Sequence, residues 1–255
     1  MGTIKKILFR WKKEILPPNL FIGGVSSVVN TPALLSAKFT FLESEVDGFT
    51  IDGNDIYATI NNTNYTALEK CFRDDLTITS FKETDGYLTV LGVQAFRGCT
   101  ALVLLDAIGV TTFYRELVFG CSLLHIKDIL LPNVITMNAI NSAFTGINIS
   151  LGETLNFPLA TTLTGSNTFR FFRYTINLPE CTTFGSVDTC AFGNGILNIP
   201  KVTNLGGTVL DNSVFRLCSS GLVINVNTAQ QTINAGSPDG DLTYASGRGA
   251  TINYI

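Results

Sequence analysis

Large apolar residues recur through the middle of the chain at a period too long for a helix or a strand. Phe96, Phe119, Phe144, Phe169, Phe192 and Phe215 are separated by 23, 25, 25, 23 and 23 residues. A second series runs in phase with the first. The segments PNVITM from Pro132, PLATTL from Pro158, PECTTF from Pro179 and PKVTNL from Pro200 share one pattern. It reads proline, any residue, a small apolar or thiol residue, two mostly polar positions, then a large apolar residue. IGVTTF from Ile108 and GYLTVL from Gly86 follow it without the proline. The closing residues are Leu91, Phe113, Met137, Leu163, Phe184 and Leu205. A unit of ~23 residues cannot bury its own apolar face and must stack on a neighbour. The pattern predicts a β-rich (α+β), right-handed solenoid of about six coils over residues 86–221. Six rungs at the ~4.8 Å strand spacing give an inner ladder of about 24 Å.

The flanks read differently. Residues 1–18 form an amphipathic attachment segment, with Ile4, Leu8, Trp11 and Ile15 on one helical face and Pro17-Pro18 ending it. It could dock on a partner, self-associate or lie on a membrane. Residues 19–85 read as a small mixed, mostly β domain or cap. A hairpin is expected around Asp52-Gly53-Asn54, a short helix over Thr66–Asp75 with Thr66 as N-cap, and a strand over Leu76–Phe81. Residues 222–255 read as a C-terminal β cap, with LVINVN and ATINYI as strands joined by a polar stretch.

Composition narrows the class. Apolar residues make up 45 % and charged ones 15 %, which suits a packed core rather than disorder. The first fourteen residues carry five basic side chains against one acid, whereas the remainder carries 12 basic and 19 acidic. An acidic body argues against nucleic acid as a partner. No apolar run reaches the ~20 residues of a membrane span, and the first eighteen residues lack the apolar stretch and cleavage site of a signal peptide. The six cysteines, Cys71, Cys99, Cys121, Cys181, Cys190 and Cys218, form no CxxC pair and read as buried free thiols.

The run GVQAFRGCTAL (Gly92 to Leu102) resembles the repeat unit of BspA-like leucine-rich-repeat proteins, in which an apolar strand, a Gly, "AF", a Gly-Cys pair and a Leu recur. VFGCSLL (Val118 to Leu124) is similar. SAFTGINI, NTFRFFRYTI, CAFGNGIL and SVFRLCSSGL match more loosely, and TFRFFRY departs by placing bulky residues where Gly-Cys stands. The resemblance covers about half the chain. It implies a leucine-rich-repeat fold and surface binding or adhesion, without naming a ligand.

Candidate chemistry is sparse. His125, the one histidine, lies between apolar residues, with Cys121 and Asp128 near in sequence, and reads as structural. Asp52-Gly53-Asn54-Asp55 and Asp239-Gly240-Asp241 have oxygen ligands suited to calcium, yet read as turns. No catalytic residue, cofactor or metal site is expected. The candidate ligand-binding patch is Arg170, Phe171, Phe172, Arg173 and Tyr174, because aromatics beside arginine are what recognition surfaces use. Phe169 belongs to the core ladder, and Phe171 and Tyr174 are expected to have the opposite or an offset orientation.

The function expected is a non-enzymatic virion protein: a bacteriophage tail fibre, tail tip or head decoration. It would assemble in the host cytoplasm, attach to other virion proteins through its N-terminal segment and meet a host cell-surface protein or glycan. Homo-oligomerisation, for instance as a trimer, is expected with it. The alternatives are a cellular BspA-like interaction module and a polysaccharide-degrading tail enzyme.

Overall fold

The computed structural model describes residues 46–52, 55–60, 65–66, 71–83, 86, 88–138, 143–150, 152–185, 188–190, 192–206 and 214–255, with side chains from residue 71 onward. The amphipathic segment 1–18 lies outside them. In chain order the strands are β1 (Val46–Asp52), β2 (Asp55–Ile60), β3 (Tyr65–Thr66), β4 (Ser80–Glu83), β5 (Leu88–Leu91), β6 (Leu104–Ala107), β7 (Thr112–Tyr114), β8 (Ile129–Leu130) and β9 (Thr136–Asn138). They continue with β10 (Thr154–Asn156), β11 (Thr162–Leu163), β12 (Thr175–Asn177), β13 (Thr183–Phe184), β14 (Ile196–Ile199), β15 (Asn204–Leu205), β16 (Val223–Val226) and β17 (Thr251–Tyr254).

These strands stack as a β-solenoid. One sheet runs β15-β13-β11-β9-β7-β5-β3; the chain alternates between it and two further sheets, β1-β2-β4-β6-β8 and β10-β12-β14-β16-β17. Apart from the β1–β2 hairpin, whose Asp52↔Asp55 closure matches the expected turn, the ladders are parallel. The turns explain the recurring prolines. Val134, Ala160, Cys181 and Val202 donate their N–H groups to the carbonyls of Leu131, Phe157, Leu178 and Ile199. Each is a β-turn with proline at its second position, where the ring pre-sets φ. In the coil that has Ile108 in place of the proline, Gly109 sits in the turn, where a Cβ would lie 2.5 Å from the backbone of Gly86. The second apolar series is as predicted: Leu91, Phe113, Met137, Leu163, Phe184 and Leu205 pair successively in register and are buried.

The phenylalanine series needs correction. Inter-coil hydrogen bonds run from Phe72 N to Ala95 O, Phe96 N to Leu117 O, Val118 N to Ala143 O and Cys190 N to Val214 O. Phe169 N bonds Thr189 O, and the Phe144 and Phe169 rings stack at 5.8 Å. The inner rungs among the described residues are therefore Phe72, Phe96, Val118, Phe144, Phe169, Cys190 and Phe215, seven coils rather than six. Phe119 is only partly buried and Phe192 is exposed. The Gly-Cys pair holds the phase. AFRGC has a residue between Phe and Gly where VFGC has none. With Gly98 and Gly120 aligned, Val118 falls on the rung and Phe119 falls beside it.

The stack crosses both expected domain borders. β4 pairs with β6 and β3 with β5, so strands before residue 86 belong to the same ladders. LVINVN and ATINYI supply β16 and β17, which extend the sheet ending in β14. Of the helix expected over Thr66–Asp75, residues 67–70 lie outside the described residues; Thr66 is in β3 rather than at an N-cap, and residues 71–74 form a turn around the Phe72 rung. The strand expected over Leu76–Phe81 is displaced to β4. A helix that the sequence reading missed, α1 (Gly240–Gly247), follows β16, with Asp239 accepting Asp241 N at 2.9 Å as its N-cap.

The bulky FRFF segment fits by a local exchange. Phe172 takes the place that Cys99 and Cys121 hold in their coils and leans over the next coil. There a Cβ on Gly193 would lie 2.2 Å from its ring, and one on Gly195 2.1 Å from the Tyr174 carbonyl oxygen. All six cysteines are buried free thiols. The thiols of Cys99 and Cys121 donate to the Phe72 and Phe96 carbonyls, both at 2.9 Å.

Candidate surface-recognition site

Each of the seven described coils turns its corner through left-handed backbone two residues after the rung. The residues there are Asp74, Gly98, Gly120, Gly146, Phe171, Phe192 and Leu217, with φ from 58° to 78°. Glycine takes this conformation without penalty, whereas a branched or bulky residue is strained by about 1–2 kcal/mol. The last three coils nevertheless put Phe, Phe and Leu there, and the side chains are 47 %, 38 % and 43 % exposed. Neither backbone preference nor burial favours that choice. Strain accepted at an exposed position is a mark of functional sites.

The rings of Phe171 and Phe192 stack at 4.9 Å with planes 19° apart. The Arg170 guanidinium sits 4.7 Å from the Phe171 centroid and 5.3 Å from that of Phe192. Arg170 belongs to a rank one residue past the rungs, which it shares with Arg73, Arg97, Phe119, Thr145 and Arg216. Arg73 pairs with Asp74 at 3.2 Å, Arg97 with Glu116 at 2.6 Å and Arg216 with Asp188 at 2.5 Å. Arg170 and Arg173 are exposed and have no carboxylate partner among the described residues.

The candidate patch therefore divides. Arg170, Phe171 and Arg173 face solvent. Phe172 and Tyr174 are core residues, 1 % and 3 % exposed, their rings edge to face at 5.8 Å. Burial pushes the Tyr174 hydroxyl pKa well up. The exposure that a recognition patch requires is found for Phe171 and not for Tyr174. Phe192 and Leu217 complete the exposed ridge and were not anticipated. The cue was available in the glycines that hold the equivalent place in other coils.

Two other features have polar groups in reach. His125 Nδ1 lies 2.9 Å from Glu153 Oε1, and its Nε2 lies 2.9 Å from Asn148 Nδ2. Both ring nitrogens are engaged, and Cys121 is turned inward to the Phe96 carbonyl, so histidine and thiol do not meet. Here the outer ladder is interrupted: β8 and β10 lie in successive coils without pairing, and His125↔Asn148 is a lone bridge. The spacing from His125 to Asn148 is 23 residues, but that from buried Ile129 to buried Leu155 is 26. The surplus leaves the β8 and β10 edges facing a groove of about 360 Å³ lined by Asp106, Lys127, Leu130, Pro132, Thr154 and Pro158 among others. Burial raises the Asp106 pKa, with Lys82 pulling it back. That groove holds one carboxylate, whereas glycoside hydrolysis uses two.

Asp239 and Asp241, read as turn residues or calcium ligands, are buried at the start of α1, where Asp241 also accepts Val214 N at 2.8 Å. Of the other acidic turn, residues 53–54 lie outside the described residues. Among the described residues no group of three His, Cys, Asp or Glu side chains is placed to hold a metal ion, and no helix is long and apolar enough to cross a membrane. Comparison with protein-family models, curated proteins and solved structures gives no match.

Proposed function

We propose that this chain is a non-enzymatic structural and adhesion protein that uses its solenoid to contact a cell surface. The observation that carries the reading is the Phe171–Phe192–Leu217 ridge, apolar, exposed and built on left-handed backbone. Rigid aromatic anchors beside arginine are the residues that dominate recognition energy. The likeness of GVQAFRGCTAL and VFGCSLL to BspA-like leucine-rich repeats supports the same reading, since surface attachment is what that resemblance implies. Its proposed setting is a bacteriophage fibre, tail tip or head decoration, with a host protein or glycan as partner and other virion proteins at the N-terminal end.

The test compares the labelled full chain with the Phe171→Gly/Phe192→Gly variant for binding to intact bacterial cells. Glycine suits the backbone at both sites, so the variant removes the rings without distorting the coil. Retention should fall at least tenfold. Equal retention by the two proteins would discard the ridge as the contact site.

A further inference from the structure

Resting on that reading of the ridge, we infer that its ligand is an anionic saccharide. A carboxylated pyranose stacks on the open face of Phe171 and gives its carboxylate to Arg170.

Phe171 is 47 % exposed, and the ring and guanidinium placed against it leave one of its faces free of both. Phe192 covers one side of the Phe171 ring at 4.9 Å. Arg170 is nearly equidistant from both centroids, at 4.7 and 5.3 Å. It therefore stands beside the pair; on the far face of Phe171 it would be roughly twice as far from Phe192, given ~4.8 Å per coil. The free face is turned toward the preceding coil, where the same rank is Gly146, and beyond it Gly120. Neither has a side chain, and only Gly98, one coil further, is overlaid by the Asp74 carboxylate. The result is a strip two coils long, about 10 Å at the strand spacing. Phe171 is its end wall, and Phe119, Thr145 and Arg170 lie along one side. A flat ring with axial C–H bonds suits an aromatic wall above a glycine floor.

Charge selects an acid. The other arginines of this rank are held by Asp74, Glu116 and Asp188. Asp188, the acid one coil on from Arg170, is bound to Arg216 instead. Arg170 thus keeps a planar donor fork for an incoming carboxylate. An acidic peptide fits less well. A strand would need a row of open backbone groups, and three along this corner are already engaged between coils: Gly98 N with Phe119 O, Gly120 N with Thr145 O and Phe192 N with Arg216 O.

The experiment is calorimetric titration of the full chain with tetragalacturonic acid and with its uncharged methyl ester, alongside glucuronate and sialylated oligosaccharides. At least one acid should bind, and its ester should bind at least tenfold more weakly. Arg170→Gln should bring acid and ester to the same affinity, Arg170→Lys should keep part of the difference, and Phe171→Gly should weaken both tenfold. Equal affinity of acid and ester for the wild type would overturn the inference. So would binding of none of these acids, or tighter binding of a Glu-rich peptide. If cell binding survives Arg170→Gln but not Phe171→Gly/Phe192→Gly, the ridge reading stands and the anionic ligand falls.

Discussion

Phe169 and Phe119 stand in adjacent ranks of the same corner, one on the inner ladder and one beside it. Phe169 is 1 % exposed and stacks on Phe144 and Phe184 at 5.8 and 6.5 Å. Phe119 is half-buried beneath the Arg97 guanidinium at 5.3 Å. Phe169→Ala should therefore cost about 3–5 kcal/mol in denaturant unfolding. Phe119→Ala should cost about 1 kcal/mol or less, the worth of an exposed cation–π contact. Equal losses would return Phe119 to the inner ladder. The thiols give a pH prediction at the same scale. Burial raises the Cys181 pKa from 9.0 to about 12. Above pH 9 the unfolded chain gives up that proton while the folded chain keeps it, so stability is intact below pH 9 and falls as pH rises toward 12. A Cys181→Ala chain should show a smaller fall across that window in pH-dependent unfolding; an unchanged slope would remove Cys181 as its source.

A single coil of this protein is shaped by its neighbour as much as by its own sequence. Phe172 occupies space that Gly193 and Gly195 vacate in the next coil. Gly193→Ala should cost about 1–3 kcal/mol by overpacking, and Phe172→Ala in the same chain should recover part of it, a coupling that a double-mutant cycle measures. Strict additivity would show that the two coils do not share that space. The same interdependence sets how much the sequence could reveal. The Leu91-to-Leu205 series was legible because a proline turn precedes most of its strands at a fixed distance, so register follows from residue type. The phenylalanine series was legible as a period but not in phase, because rungs recur after 21 to 26 residues. Counting from Phe119 or Phe192 gives a plausible rhythm and a wrong position. The interruption between β8 and β10 was not legible, since it arises from three surplus residues in an irregular turn.

At the scale of the whole molecule, one solenoid accommodates segments that read as separate caps. Their strands lack the repeat's signature but, β1 apart, have its parallel pairing, which depends on backbone geometry rather than on residue type. The candidate site was half legible for the same reason. Arg170, Phe171 and Arg173 are exposed as a recognition patch requires, but alternation within FRFFRY sends Phe172 and Tyr174 inward. Phe192 and Leu217, far apart in sequence, join Phe171 only because successive coils bring one rank into line. Under the proposed function this rank serves binding and contributes little to folding. Thermal denaturation of the Phe171→Gly/Phe192→Gly chain tests that claim most directly. Relief of left-handed strain at two positions, about 1–2 kcal/mol each, is opposed by loss of the ring stack, about 1 kcal/mol, and by the chain entropy that two glycines add to the unfolded state, about 0.5–1 kcal/mol each, which should leave the Tm within a few degrees of wild type. A fall as large as that of Phe169→Ala would show the rings to be structural and would contradict the account.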